Sequence, residues 1–190
     1  MRCLLCESWS WSRICRQCRN EQLSPSLYTR NIAGKLPVYS FYRYDEIEAL
    51  LLTKHTDLGY HVYKTLASVA FGSYAKTLSP DEAVAVVGVD DHARHGYSHT
   101  ALLARAMKNS NLKPRYRVLR DRSGHHYSGK DFQYRLTHPR TFKLQPFPEE
   151  KVILVDDILT TGLTLTQAAE TLAAAGKEVL FCLTLADADR

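Results

Sequence analysis

The chain has no long hydrophobic run. None of its apolar stretches approaches the ~18–20 residues of a membrane-spanning helix, so the sequence offers no candidate span. It has no apolar leader either. Its first residues are polar and rich in cysteine, unlike a secretory signal, so a reducing cytoplasm is the expected location. Nor is there a catalytic triad. His125, His126 and His138 lack an acid and a nucleophile in pattern, and no metal-ligand spacing joins them. No segment is recognisable as a nucleobase pocket. What remains is 190 residues with 45% apolar content, enough for one α/β domain and a small appendage.

Charge is unevenly spread. Residues 1–35 carry six Lys/Arg against two acids, and residues 113–143 carry nine against two. Residues 144–190 reverse this, with three against eight. The two positive segments form an electrostatic footprint for nucleic acid or another polyanion, the plainer alternative being a solvated loop with ion pairs.

The chain is organised around Val152 to Thr164, VILVDDILTTGLT. Val152 to Val155 reads as a parallel strand buried on both faces. Asp156 and Asp157 follow, then Thr160, Thr161, Gly162, Leu163 and Thr164 lead into a helical pattern ending near Ala175, with Gly176 at its cap. A helix N-terminus offers free N–H groups and a positive dipole end, and glycine lets backbone approach an anion. That suits a phosphate. The two acids repel phosphate, so they either accept from sugar hydroxyls or hold Mg²⁺. A ligand here would lie at the carboxyl end of a parallel strand, where open α/β sheets bind ligands.

This stretch resembles the phosphoribosyl-pyrophosphate (PRPP) loop of type I phosphoribosyltransferases. The resemblance implies that Asp156 and Asp157 meet the ribose hydroxyls and that Thr160 to Thr164 wrap the 5′-phosphate.

At the N-terminus, Cys3-x2-Cys6 and Cys15-x2-Cys18 form two knuckles eight residues apart, a set suited to one tetrahedral structural Zn²⁺. Disulfides are the alternative, disfavoured in a reducing compartment. Trp9 and Trp11 lie between the knuckles. They are expected to pack on the lobe; exposed, they would stack on bases. Residues 19–37 read as a linker, so the expected division is a zinc lobe with linker, 1–35, and a phosphoribosyltransferase-like domain, 36–190.

Between these ends the sequence predicts a β-prone stretch at Val38 to Tyr44, helices at Ile47 to Lys54 and Val62 to Tyr74, and a buried strand at Ala83 to Val89. A helix from about His99 to Met107, the start of a strand at Val118 and Leu119, and a strand at Glu178 to Leu185 follow. The alternation points to an α/β fold with a mostly parallel sheet. Cys182 reads as a buried, inert thiol.

Residues 120–143 interleave Arg120, Arg122, Lys130, Arg135, Arg140 and Lys143 with Tyr127, Phe132 and Tyr134. Cations for phosphates and rings for bases suit single-stranded nucleic acid, although the same loop can grip pyrophosphate.

A four-Cys knuckle followed by a PRPP loop is similar to the ComF family, the ComFC-type competence proteins of bacteria that take up DNA. The family's Arg-Gly-aromatic-Asn-Gln run reads His95-Gly96-Tyr97-Ser98-His99 here, and its Pro-rich strand end reads VGVDD. Arg120, Arg122 and Arg135 fall where the family's arginines do, while Tyr127 and His138 stand for its Gln and Asn. The resemblance implies binding of single-stranded DNA through Arg120, Arg122, Lys130, Arg135 and Arg140, with PRPP and Mg²⁺ as ligands and structural zinc on the cysteines. Two other functions stay open. One is an active phosphoribosyltransferase, with Asp156 or Asp157 stabilising the sugar cation and Lys54 or Arg94 holding pyrophosphate. The other is a zinc-lobe adaptor docking on a DNA translocase.

Overall fold

The computed structural model describes residues 1–89, 96–122 and 140–189. Its main sheet has six strands in the order β1-β2-β8-β7-β3-β4. They are β1 (Tyr28–Ile32), β2 (Leu36–Arg43), β3 (Val84–Gly88), β4 (Leu112–Arg115), β7 (Lys151–Leu159) and β8 (Glu178–Asp187). Every pairing is parallel except β1 with β2. The short strands β5 (Leu119–Asp121) and β6 (Phe142–Leu144) pair antiparallel with each other in a second sheet. The α/β, mostly parallel architecture expected from the alternation is therefore the one observed.

Central strands are apolar because helices cover both faces. All of β3 is buried, as are Val152 to Val155 of β7. One face packs under α2 (Tyr44–Leu51), α3 (Asp57–Val69), α4 (Phe71–Ala75) and α5 (His99–Ala106), where Phe41, Phe71, Leu66 and Leu103 form the core. The other face packs under α6 (Leu163–Ala174) and the β5–β6 hairpin, through Leu165, Leu172, Leu119 and Phe142. Each such buried side chain contributes about 1.5–3 kcal/mol.

Several boundaries differ from the sequence reading, each for a physical reason. Residues 19–37 are more than a linker. α1 (Arg16–Glu21) reaches into them, and β1 lies on the sheet edge, turning into β2 through Ala33 and Gly34, both at positive φ. Polar Thr29, Arg30 and Asn31 hid this strand, because an edge strand needs little apolar surface. β4 was missed for the same reason, and Pro114 fits there because an edge strand leaves one side unpaired. The helix expected at Val62 to Tyr74 begins earlier, where Thr56 accepts from the Gly59 N–H, and breaks at Ala70.

The N-terminal lobe shares the first core. Cys3, Ile14, Cys18 and Leu23 are buried in one cluster with Phe41 and Tyr42, and Tyr42 Oη donates to the Leu23 carbonyl at 2.8 Å. No described helix is long and apolar enough to cross a membrane.

Candidate sugar-phosphate site and cysteine cluster

Asp156 and Asp157 sit within β7, not beyond it, since pairing with β8 runs on to Leu159 opposite Asp187. On the other side β3 stops at Gly88 opposite Val155. The two acids therefore occupy the first positions where β7 has lost one neighbour. This opens a crevice at the carboxyl end of the sheet.

Gly162 then turns the chain into α6. Its φ is +78°, and a Cβ there would meet Ile32 Cγ2 at 2.6 Å, so only glycine fits. The first-turn N–H groups of α6 face the same end of the sheet as the acids. Thr161 Oγ1 lies 3.4 Å from the Leu163 N–H. The loop is pinned from below by Arg30 on β1, which donates to the Thr160 carbonyl and pairs with Asp187 at 3.2 Å and with Asp189. The sequence reading did not find Arg30; its sheet-edge position is visible only once β1 is in place.

Asp157 collects cationic and hydroxyl partners. Lys54 Nζ lies 3.0 Å from its Oδ2, Tyr63 Oη donates to it at 3.3 Å, and His99 Nε2 is 3.7 Å away. Lys54 comes from the 3-10 turn Leu52–His55 and is held by Tyr97 Oη, which donates to the Lys54 carbonyl at 2.6 Å. Burial pushes the Asp157 carboxyl up, but the charges of His99 and Lys54 and the Lys54 hydrogen bond outweigh it and hold the carboxyl well below the usual range. Asp156 goes the other way. Burial first, and the Asp157 charge second, push it well above the usual range, against the pull of the Asp157 N–H at 2.8 Å, of Arg140 and of Lys54. The two adjacent carboxyls are thus driven in opposite directions, Asp157 toward ionisation and Asp156 toward keeping its proton, a division common where paired acids do chemistry. Together with His99, their ligand atoms lie within 4.8 Å of one another, a set that fits a divalent cation.

Of the proposed site residues, Asp156, Asp157, Thr160, Thr161, Gly162, Leu163, Thr164 and Lys54 come together at this end of the sheet. Arg94, Lys130 and Arg135 lie outside the described residues. Arg120 stands on β5, and the Arg122 N–H donates to the Thr141 carbonyl at 2.9 Å. Arg140, expected on a DNA surface, lies 3.4 Å from Asp121 and is close enough for its charge to lower the Asp156 carboxyl. Tyr63 and His99 were not foreseen as partners of Asp157. Only the fold brings the middle of α3 and the start of α5 onto β7.

In the lobe, all four cysteine sulfurs lie within 4.8 Å of one another and no disulfide joins them. Cys6 and Cys15 Sγ are 3.8 Å apart. Tetrahedral zinc with Zn–S near 2.3 Å requires an S···S edge of about 3.8 Å, so the cluster fits zinc. Burial raises the Cys3 thiol, but backbone N–H groups, led by Cys15 at 3.3 Å, bring it down to about 6. Cys18 goes the other way, pushed up by burial and by the neighbouring sulfurs, so packing four thiols together without a cation opposes their joint ionisation. Trp9 and Trp11 do not pack as expected. Trp9 is 83% exposed and Trp11 fully so.

The family described as "Phosphoribosyl transferase domain" matches residues 62–190. No curated protein sequence matches. Among solved structures, a hypoxanthine phosphoribosyltransferase from Staphylococcus aureus aligns over 66% of this chain and 62% of its own, at 19% identity and a TM-score of 0.44. An orotate phosphoribosyltransferase from Aeropyrum pernix aligns over 90% and 80%, at 21% identity and a TM-score of 0.39. The chain thus spans less than two thirds of the hypoxanthine enzyme. The family match takes in β7, its acids and the turn into α6, but begins beyond Lys54, Arg30 and the cysteine lobe. On that match over more than half its length, the chain belongs to the phosphoribosyl transferase domain family.

Proposed function

We propose that the chain binds PRPP with Mg²⁺ at the end of β7 and acts on incoming single-stranded DNA as a competence protein for natural transformation. One observation carries the ligand assignment: Asp156 and Asp157 stand at the open end of β7, beside Gly162 and the start of α6. Asp156 and Asp157 take the ribose hydroxyls, and residues 160–164 take the 5′-phosphate. Mg²⁺, when bound, neutralises the pyrophosphate.

The DNA reading draws on the +7 segment 113–143, whose Arg120, Arg122, Lys130, Arg135 and Arg140 are its contacts, and on the +4 lobe with its two exposed tryptophans. Zinc on Cys3, Cys6, Cys15 and Cys18 holds that lobe together, and the cytoplasm is its place of action. The alternative enzyme is a phosphoribosyltransferase acting on an unknown acceptor. The alternative adaptor would use Trp9 and Trp11 to dock on a translocase, which their exposure favours.

Fluorescence anisotropy with labelled single-stranded DNA, at several salt concentrations and with or without PRPP–Mg²⁺, tests the reading. Tight binding with a steep salt slope supports it. No binding near physiological salt moves the choice to the enzyme or the adaptor, and release of pyrophosphate in a screen of acceptors then separates those two.

A further inference from the structure

A groove of about 740 Å³ lies between α3–α4 and the end of α5, and none of the sugar-phosphate residues lines it. Four cations do, Lys64, Lys76, Arg105 and Lys108, and no acid does. All four side chains are exposed, and none makes an ion pair among the described residues. The lining includes small Ala67, Ser68, Gly72, Ala75 and Ser79, and the segment along one side is rigidly held. Asn109 donates to the carbonyls of Ala75 at 3.2 Å and Leu78 at 3.4 Å, and accepts from the N–H groups of Asn111 at 2.9 Å and Leu112 at 2.7 Å. The groove is therefore preformed.

Helix ends attract cations, and Lys76, Arg105 and Lys108 lie near the C-termini of α4 and α5. That does not account for Lys64, which sits mid-helix in α3, nor for the absence of any acid. The single aromatic ring in the lining is Tyr60, partly exposed at one end. Its edge meets Tyr97 at 5.8 Å, and Tyr97 bonds the carbonyl of Lys54, which holds Asp157. One end of the groove is thus a single ring removed from the sugar-phosphate site.

We propose that this groove carries the phosphodiester backbone of a single nucleic-acid strand, with Lys64, Lys76, Arg105 and Lys108 on phosphates and Tyr60 as a stacking platform. Four cations without an ion pair among the described residues, a partly exposed ring at one end and no large aromatic or acidic group elsewhere in the lining favour a nucleic-acid strand over an acidic peptide. The proposal rests on the reading that the chain handles single-stranded DNA, and it adds a path separate from Arg120, Arg122 and the zinc lobe.

The test is anisotropy with labelled oligodeoxythymidylate and the full chain, across salt. Four phosphate contacts supply about −3 of the slope of log K against log salt, near −0.7 per contact. Lys76→Gln with Lys108→Gln, and separately Lys64→Gln with Arg105→Gln, should each make the slope shallower by about 1.4, with melting temperature and PRPP affinity unchanged. Tyr60→Ala should weaken binding about tenfold while leaving the slope alone. Wild-type slopes in both double variants overturn the groove and leave the wider DNA reading standing. Absence of DNA binding by the wild type overturns both. Displacement of the strand by polyglutamate at comparable charge concentration also overturns the proposal, because the groove then takes any acidic polymer.

Discussion

Asp156→Asn and Asp157→Asn are the same chemical change at adjacent positions, and they should move stability in opposite directions. Asp156 is pushed up by burial and by the Asp157 charge, so at neutral pH it resists ionisation. An amide cannot ionise in the unfolded chain, so that state loses its advantage at neutral pH, yet the amide still accepts from the Asp157 N–H. Relieving a buried group whose ionisation the fold opposes is worth about 1–3 kcal/mol, so the amide stabilises the unliganded protein by that order. In a chain of 190 residues that raises the melting temperature by about 2–12 °C. Asp157 is ionised and paired, with 10% of its side chain exposed, and Lys54 is only 28% exposed. Asp157→Asn strands that ammonium and loses a charged hydrogen bond, a loss of about 1–3 kcal/mol.

The pH dependence follows from linkage. A raised Asp156 stabilises the fold below the unfolded carboxylate value near ~3.9 and loses that contribution as pH rises through its folded value, so the gain from Asp156→Asn grows across that window. A lowered Asp157 contributes above the unfolded value and loses the contribution as pH falls through its folded value, so the Asp157→Asn deficit persists at neutral pH and shrinks only in acid. Thermal melts of the unliganded protein from pH 4 to pH 9 read both. A stability change of the same sign in the two variants at neutral pH refutes the split.

Further outcomes are expected elsewhere. Cys3→Ser should lose zinc by elemental analysis and loosen the lobe. The only two tryptophans, Trp9 and Trp11, lie in the lobe, so a fall in their fluorescence anisotropy reports it, and retained equimolar zinc contradicts it. Gly162→Ala should reduce stability in urea by about 1–2 kcal/mol, from positive φ and the Ile32 contact, and wild-type stability would show that the turn has slack. Arg30→Met should weaken PRPP binding about tenfold by releasing the Thr160 carbonyl, leaving zinc content unchanged, and full PRPP affinity would mean that the loop holds itself.

Local chemistry made part of the site legible. Four apolar residues, two acids and a Thr-Gly turn mark a buried strand passing into a helix, and β7, Gly162 and α6 follow that pattern. Strand β3 was legible for the same reason, as a run too apolar for any surface. Edge strands were not. Tyr28–Ile32 and Leu112–Arg115 are half-exposed and carry polar residues, so period and composition resemble loop. Partners brought from afar were also hidden. Tyr63 meets Asp157 across 94 residues and Arg30 meets Thr160 across 130, and no local pattern records such a contact. The pairing of Arg140 with Asp121, 19 positions away on β5, was likewise invisible to local pattern. The tryptophans looked like packing residues because large rings usually bury.

Isothermal titration of PRPP with Mg²⁺ into the wild type and into Asp156→Asn with Asp157→Asn tests the central claim most directly. The account predicts saturable one-to-one binding by the wild type and at least about a hundredfold loss in the double variant, since two carboxyls that bond the ribose hydroxyls are replaced. Equal affinity in a folded double variant would contradict it and place the ligand elsewhere.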